Sequence, residues 1–518
     1  MNAAENGQRE TQAQINARIL GEAERLGELG ARARRGGAVA VGAQLIRVGL
    51  QLVSTSVMAR LLLPDDFGVV AMGMVLMAFI TVFTETSLSS ATIQRDHLTQ
   101  DTVAGILFIN LGMSGAAILL AIALSPFAAD YFGDQRVVPI VIGLALALPL
   151  QALGSQNYAL LTRNMKWIDS HICSTLNLAC GLTAAIIAAW VFNAGFWALV
   201  VQQWVTSTMG AVLAWWRCPW RPTWVRNWSD PLSTLRFGFN LTGALVMNFL
   251  QRQMDSFLIG GRWGTNELGF YSRAYNLLMV PLNFVQGPIQ QAMVPALSRL
   301  QNEPDKWRRA FLDGYGAVCM VGGAMSCILF GGADPIIDIV FGPGWQKTAD
   351  IFAYLAIGIA AATPMTTVHW IYISLGRTNI MFYWSLFLVP CFVFAYWLGL
   401  DRGGVGVASN YAIAQLLALA PSLFVARWRT PVSMLDIGLA TAIPLAVAAV
   451  VGASLRFATA HLNLWGDIAA IMIAGLLYVG AMAAAVWTLP MYARLKTLAI
   501  NLLTSAHARV SAALNPSS

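Results

Sequence analysis

Hydrophobic stretches recur along the chain and are separated by short polar or glycine- and proline-containing breaks. We predict about fourteen membrane-spanning helices, since a helix needs about 20 apolar residues to cross a bilayer. An all-α fold is expected because a segment in lipid must satisfy its own backbone hydrogen bonds. The predicted centres are Leu50, Leu76, Ala116, Leu146, Thr183, Val205, Leu245, Leu282, Met320, Ala362, Leu388, Ile413, Ala446 and Ile473. The predicted breaks include Pro64–Gly68, Ala129–Arg136 and Gly342–Lys347.

The composition agrees with a membrane protein and excludes an ordinary soluble one. Of the 518 residues, 57% are hydrophobic and only 11% are charged, whereas about 25% of the residues in a soluble domain are charged. Mean hydropathy is +0.62. The net charge of +7 is attributed to loops on one side of the membrane, and we predict no nucleic-acid partner.

Lys and Arg fall mainly in alternate loops, which predicts the orientation. If the N-terminus is cytoplasmic, most of these residues are cytoplasmic, and the outer loops hold Arg60, Arg136, Arg262, Lys347, Arg402 and Arg456. We therefore expect both termini to be cytoplasmic. An even number of spans agrees with this orientation.

Two copies of one six-span unit are indicated by weak internal repeats. A shift of 201 residues places Leu63–Gly68 on Gly264–Gly269, and the same order continues with Phe132-Gly133 against Phe341-Gly342. Because six is an even number, both copies enter from the same side, and an axis along the membrane normal relates them. Paired bundles of this kind bind substrate at their interface near the midplane.

The predicted organisation has six parts. The polar tail, which we assign no function, is compatible with a helix over 15–35. The linker has interleaved Arg and Trp and is predicted to lie on anionic headgroups. In order, the parts are a cytoplasmic tail (1–37), a first six-helix lobe (38–216), a cytoplasmic linker (217–233), a second six-helix lobe (234–428), two additional C-terminal spans (429–490) and a cytoplasmic tail (491–518).

Arginines inside the first span of each copy are the main candidates for function. Gln44, Arg47 and Gln51 are spaced i, i+3, i+7 and share one helix face. Asn248 and Arg252 repeat the pattern with Asp255. A charge within a bilayer is costly, so it marks a polar cavity or a paired partner.

The two polar faces predict an anion-binding cavity. The predicted substrate-binding residues are Arg47, Arg252, Arg273, Gln44, Gln51, Asn248, Gln286 and Gln290, and the predicted coupling or counter-ion residues are Asp255 and Glu85. A purely structural alternative stays open, in which Arg252 pairs with Asp255, or Arg47 with Glu85, to hold helices together.

Three segments carry a resemblance to a known family. Residues 59–72 (ARLLLPDDFGVVAM), Ala159–Met165 (ALLTRNM) and Gly269–Ala274 (GFYSRA) resemble motifs of the polysaccharide transporter family, which includes Wzx-type flippases and colanic-acid exporters. The resemblance covers roughly residues 38–490. It implies the fold of the multidrug/oligosaccharidyl-lipid/polysaccharide superfamily, with two six-helix lobes around a central cavity.

The resemblance also implies a location in the bacterial inner membrane. It further implies the transport of an undecaprenyl-diphosphate-linked oligosaccharide from the cytoplasmic to the periplasmic leaflet, for surface or extracellular polysaccharide biosynthesis. The expected partners are this substrate, membrane lipids, and the polysaccharide polymerase and export machinery. Arginine suits such a cargo because it binds phosphate through charge-assisted, often bidentate hydrogen bonds.

Two other function classes stay open from the sequence alone. A drug exporter of the same superfamily would favour acidic residues in its cavity, and a membrane-embedded glycan polymerase or ligase would favour a large outer loop. We predict no catalytic residues, cofactor, metal site or disulfide. No nucleotide-binding loop motif occurs, so transport would draw on a proton or sodium gradient, on the membrane potential, or on downstream consumption of the glycan.

Overall fold

The computed structural model describes residues 11–21, 29–84, 92–93, 98–228, 242–428, 430–461 and 464–488, without the side chains of some helical residues. Helices dominate these residues, and no strand occurs among them. The chain divides into two compact units, Met1–Ser272 and Arg273–Ser518.

The first unit is a helical bundle followed by the first part of a long, kinked helix. Its helices are α1 (Gln12–Gly21), α2 (Leu29–Leu61), α3 (Pro64–Thr84), α4 (Gln100–Phe132), α5 (Val137–Ala145), α6 (Leu148–Arg163), α7 (Trp167–Trp190), α8 (Trp197–Arg217) and α9 (Thr242–Arg299). Gly264 interrupts α9 with a positive φ of 77°, a conformation that favours glycine. The first and second segments of α9 therefore correspond to two predicted spans.

The second unit continues from α9 and contains seven further helices among the described residues. They are α10 (Pro304–Gly331), α11 (Ala333–Val340), α12 (Gln346–Ser374), α13 (Thr378–Gly399), α14 (Gly403–Arg427), α15 (Met434–Thr459) and α16 (Leu464–Thr488). Of these, α11 is a short helix before α12 that the sequence did not predict.

The predicted spans coincide with these helices. Thirteen of the fourteen predicted centres lie inside a helix, and Leu146 lies at the break between α5 and α6. Within the part of the chain that the structure describes, nine helical stretches are long and apolar enough to cross a membrane. The arginine-bearing helices α2 and α9 are outside this set. The chain is therefore a multi-pass, all-helical membrane protein.

The break predicted at Pro64–Gly68 is wrong, because Pro64 is already the first residue of α3. Proline suits this position, since its fixed φ matches the helix and its missing N–H is not needed there. Only Leu62 and Leu63 separate α2 from α3. The turn is consequently tight, and it places both acidic residues of the motif in the first helical turn.

One predicted repeat match has the same local geometry in both units. Gly133 follows α4 with a φ of 69°, and Gly342 follows α11 with a φ of 84°. Each N–H donates to a carbonyl one turn earlier, at Ala129 and Asp338 respectively. A glycine in this left-handed conformation is a common end to a helix. The two Phe-Gly pairs thus perform the same capping in each unit.

The linker packs partly on the protein. Trp220 and Val225 are buried among residues of the first unit, and the location of the linker at anionic headgroups stays a prediction. Trp224, by contrast, is 86% exposed. The segment is therefore seated on protein, with single aromatic residues directed outward.

In the second unit, α15 and α16 pack against α10. The stacked rings of Trp307, Phe311 and Tyr315 belong to a buried cluster on α10, and the Tyr315 hydroxyl is 2.7 Å from Thr441 Oγ1 on α15. Farther along α10, Tyr478 of α16 donates a hydrogen bond of 2.9 Å to the Met320 carbonyl. The two additional spans are therefore integral parts of the second unit.

Close packing of α10 on α15 depends on Gly331. A Cβ at this position would be 2.7 Å from Leu455 Cβ and 2.8 Å from the Gly452 carbonyl oxygen. Small residues let membrane helices approach closely in this way. We expect Gly331→Ala to destabilise the protein by about 1–3 kcal/mol, as overpacking usually does.

The midpoint of thermal unfolding in detergent would measure this effect. Gly438→Ala on α15 is the matched control, because a Cβ there meets nothing within 4 Å. An unchanged midpoint for Gly331→Ala would contradict the proposed packing.

Candidate functional site

The Arg47 side chain connects α2 to α7. Its guanidinium donates a 2.9 Å hydrogen bond to Ser174 Oγ and another to Gln44 on its own helix. Ser174 Oγ in turn donates to the His171 carbonyl oxygen at 3.0 Å. Gln44 and Arg47 therefore do share a face, as their spacing predicted. Ser174 was missed because no periodicity relates it to Arg47 in the sequence.

A buried carboxylate connects the two segments of α9. Asp255 accepts a 2.7 Å hydrogen bond from the Tyr271 hydroxyl and a 2.6 Å bond from the Ser256 N–H. Asp255 is 5% exposed and Tyr271 only 1%. Among the contacts of the described residues, Asp255 thus pairs across the Gly264 kink, whereas the Arg252 side chain is exposed.

The other predicted site residues differ in burial. Gln51 and Gln290 are exposed, whereas Gln286 and Arg273 are partly buried. The Asn248 side chain and the whole of Glu85 lie outside the described residues. Of the predicted site residues, the described contacts join Arg47 to Gln44 through a hydrogen bond. That all of these residues line one site stays a prediction.

A contact that the sequence did not predict joins the start of α3 to the second segment of α9. A Cβ on Gly68 would overlap the backbone carbonyl of Thr265, and a Cβ on Gly269 would overlap that of Pro64. Pro64 and Thr265 are equivalent positions of the repeat, and so are Gly68 and Gly269. Each glycine therefore contacts the residue that is equivalent to the one contacted by the other glycine. Only glycine permits this approach. We name residues 63–68, 134–136 and 264–269 the clasp.

Ionic contacts surround the glycine contact. Arg136 contacts Asp65 at 2.6 Å and Asp134 at 2.7 Å. Thr265 Oγ1 also donates a hydrogen bond to Asp65. The hydrogen bonds of Arg136 to Asp134 and then Asp65 raise its pKa above the ordinary value. Arg136 is 41% exposed, and solvent screening keeps such a pair weak.

Further contacts lie beside the clasp in the first unit, at the start of α3 and between α4 and α9. The Leu63 N–H donates a 3.1 Å hydrogen bond to Asp66 Oδ2. Tyr131, near the end of α4, stacks on Phe257 with ring centroids 4.3 Å apart. The clasp therefore lies among packed aromatic and capping contacts. Its signal in the sequence was the pair of glycines at equivalent repeat positions.

Comparisons with known proteins identify relatives that are named for polysaccharide biosynthesis or its transport step. The family model described as "Polysaccharide biosynthesis protein" matches residues 57–350. The succinoglycan biosynthesis transport protein ExoT of Rhizobium meliloti is 24% identical over 65% of this chain and 68% of its own length. The lipopolysaccharide biosynthesis protein WzxC of Escherichia coli is 22% identical over 74% of this chain and 78% of its own length.

The fold is similar to those of two solved transporters. The inward closed conformation of the lipid II flippase MurJ has a TM-score of 0.67 at 14% identity, covering 87% of this chain and 98% of MurJ. An inward-facing multidrug resistance transporter of the MATE family, in the MOP superfamily, has a TM-score of 0.52 at 16% identity, covering 77% of this chain and 95% of that one. These similarities confirm the predicted superfamily fold.

A methyl group in the clasp should separate its two helices. We expect Gly68→Ala and Gly269→Ala each to lengthen the distance between spin labels on cysteines that replace the exposed residues Leu63 and Asn266, in a variant without native cysteines. The physical reason is that each Cβ must move away from a backbone carbonyl, which cannot rotate aside.

Double electron–electron resonance measures this distance. Gly112→Ala on α4, with open space around its Cβ, should leave it unchanged. Distances that stay unchanged in both clasp variants would show that the glycine contact does not set the spacing of these helices.

Proposed function

Since the chain belongs to the polysaccharide biosynthesis protein family, we propose that it moves a lipid-diphosphate-linked oligosaccharide from the cytoplasmic to the periplasmic leaflet by alternating access. The names of ExoT and WzxC, which describe succinoglycan transport and lipopolysaccharide biosynthesis, support a cargo of this class. The chain would act as a transporter and not as an enzyme. Its product would be supplied to surface or extracellular polysaccharide assembly.

The observation that carries this proposal is the pair of arginines on α2 and α9. Arg47 is partly buried and Arg252 is exposed, and neither charge is stable against lipid hydrocarbon. A diphosphate satisfies two such cations, because guanidinium groups bind phosphate oxygens through charge-assisted hydrogen bonds. We propose that Arg47 and Arg252 line one cavity, with Arg273 as a third cation.

The glycan would be bound by amides. Gln51 and Gln290 are exposed on their helices, and an amide side chain offers both donors and acceptors to sugar hydroxyls. We assign Gln44, Asn248 and Gln286 to the same role. The lipid tail would stay in the bilayer during transport.

We propose that the clasp lies on the periplasmic side of the inner membrane and that both termini are cytoplasmic. The periplasmic exit would be closed while the start of α3 contacts the second segment of α9 in the clasp. It would open when these two helices separate. The weak, screened Asp65–Arg136 pair suits a contact that must be broken in every cycle. A glycan polymerase and export machinery are the proposed downstream partners.

Replacing Arg252 tests the cargo assignment. We expect Arg252→Ala to reduce export by about ten- to a hundredfold, since a hydrogen bond to a charged group contributes about 1.5–3 kcal/mol. Arg252→Lys should retain part of the activity, because an ammonium group keeps the positive charge but cannot bind two phosphate oxygens side by side as a planar guanidinium does. Accumulation of lipid-linked oligosaccharide in the cytoplasmic leaflet of a complemented deletion strain is the measurement.

Arg262→Ala, which removes another exposed arginine of α9, is the matched control and should export normally. Normal export by Arg252→Ala, at equal protein level in the membrane, would refute the role of this cation. Export of a cationic drug without any effect on lipid-linked oligosaccharide would instead favour the drug exporter.

Asp255 is the proposed coupling residue. Its carboxylate is buried and bonded to Tyr271 across the kink of α9, so a change in its charge or its bonding would be transmitted to both segments. We expect Asp255→Asn to impair transport more than Glu85→Gln does, because the repeat already places Gln286 at the position of Glu85.

Initial export rates of the two variants measure this difference. Tyr271→Phe serves as the control for packing, since it removes the hydrogen bond and keeps the carboxylate. Normal transport by Asp255→Asn would exclude coupling through this residue, and loss by Tyr271→Phe alone would assign the pair to structure.

A further inference from the structure

The N-terminal helix α1 is bound to the linker at residues 217–228. The Asn16 side chain, 2% exposed, pairs with the backbone of Arg221 in both directions. Its amide nitrogen donates to the Arg221 carbonyl at 2.9 Å, and its amide oxygen accepts from the Arg221 N–H at 3.1 Å. Gln12 adds a 2.8 Å hydrogen bond to the Pro219 carbonyl. The α1 side chains thus satisfy backbone groups of a segment without regular structure.

The same helix is bound to the body of the first unit. Ile19 and Leu20 are buried in an apolar cluster with residues of α4 and α6, such as Val103 and Leu160. The Ile19 carbonyl accepts a 3.0 Å hydrogen bond from Asn164, just after α6. Because α1 contacts both the bundle and the linker, it joins the two.

The linker itself is anchored by Trp220. This side chain is fully buried, and its indole N–H donates a 2.8 Å hydrogen bond to Gln100 at the start of α4. Asn157 of α6 donates to the carbonyls of Cys218 and Trp220 at 3.2 and 3.3 Å. Backbone groups that would otherwise be buried without partners are therefore paired.

We propose that α1 is an intramolecular clip, which seats the linker on the first unit and thereby fixes the point from which the chain leads into α9. With residues 217–228 seated, residues 229–241 connect the anchor to α9. Release of the clip frees residues 217–228 from the bundle. Movement of the first segment of α9, which carries Arg252 and Asp255, is then coupled less tightly to the helical bundle of the first unit, and transport slows.

The native thiol of Cys218 reports whether the clip is closed. Cys218 is 3% exposed, and it belongs to the same apolar cluster as Ile19 and Trp220. Burial raises the pKa of this thiol, which lowers its thiolate fraction and its reactivity. A variant that keeps Cys218 and has alanine at the other five cysteines isolates its signal.

The test moves the amide by one residue. In Asn16→Ala/Ala17→Asn the composition of α1 is unchanged, but the amide lies at position 17, which is exposed. We expect maleimide to label Cys218 at least about tenfold faster in purified protein, since the Arg221 N–H loses its acceptor and the Arg221 carbonyl keeps only its hydrogen bond from Gln100. Ala17→Asn alone is the control and should label at the native rate.

Two results would overturn the proposal. Native labelling of Cys218 in the swapped variant, and also after deletion of residues 2–21, would show that α1 does not hold the linker. Faster labelling together with native export at equal protein level would show that the clip does not affect transport. The labelling uses protein without substrate, so its outcome does not depend on the identity of the cargo.

Discussion

The reciprocal glycine contact between α3 and α9 is the constraint on which the first unit depends. Gly68 and Gly269 allow two helix starts to meet backbone to backbone, and no side chain lies between them to relax a mismatch. Two helices from different repeats are therefore in register at this point. Asp65, Arg136 and Thr265 surround it with polar contacts that are weak enough to break.

Two charged side chains, one on α2 and one on α9, have polar partners in the structure. Arg47 is satisfied in part by Gln44 and Ser174, and Asp255 is satisfied by Tyr271 and Ser256. Among the described contacts, Arg47 and Asp255 thus have different hydrogen-bond partners and do not pair with each other. The proposed cavity with Arg47 and Arg252 in its wall would have a basic surface, which suits a diphosphate, whereas an acidic surface would suit a cationic drug.

Periodicity and hydropathy predicted the spans, the repeat and the shared face of Gln44 and Arg47, because these depend on local helix geometry. The α11 helix, Ser174 and Tyr271 were not predictable, since they depend on which helices become neighbours. The α1–linker contact was missed for a similar reason. Asn16 and Trp220 are ordinary polar-tail and loop residues in the sequence, and only their pairing with backbone groups distinguishes them. The proposed cavity residues Arg252 and Gln286 still rest on the repeat.

Reconstitution of the purified protein gives the most direct test of the central claim. Proteoliposomes would contain an undecaprenyl-diphosphate oligosaccharide with a fluorescent label on the glycan, and an impermeant reductant would quench the label in the outer leaflet. The account predicts that quenching continues beyond the initially exposed fraction with the native protein, and that this further quenching is about ten- to a hundredfold slower with Arg252→Ala. Quenching that stops there with the native protein, under every imposed ion gradient and membrane potential, would contradict the account.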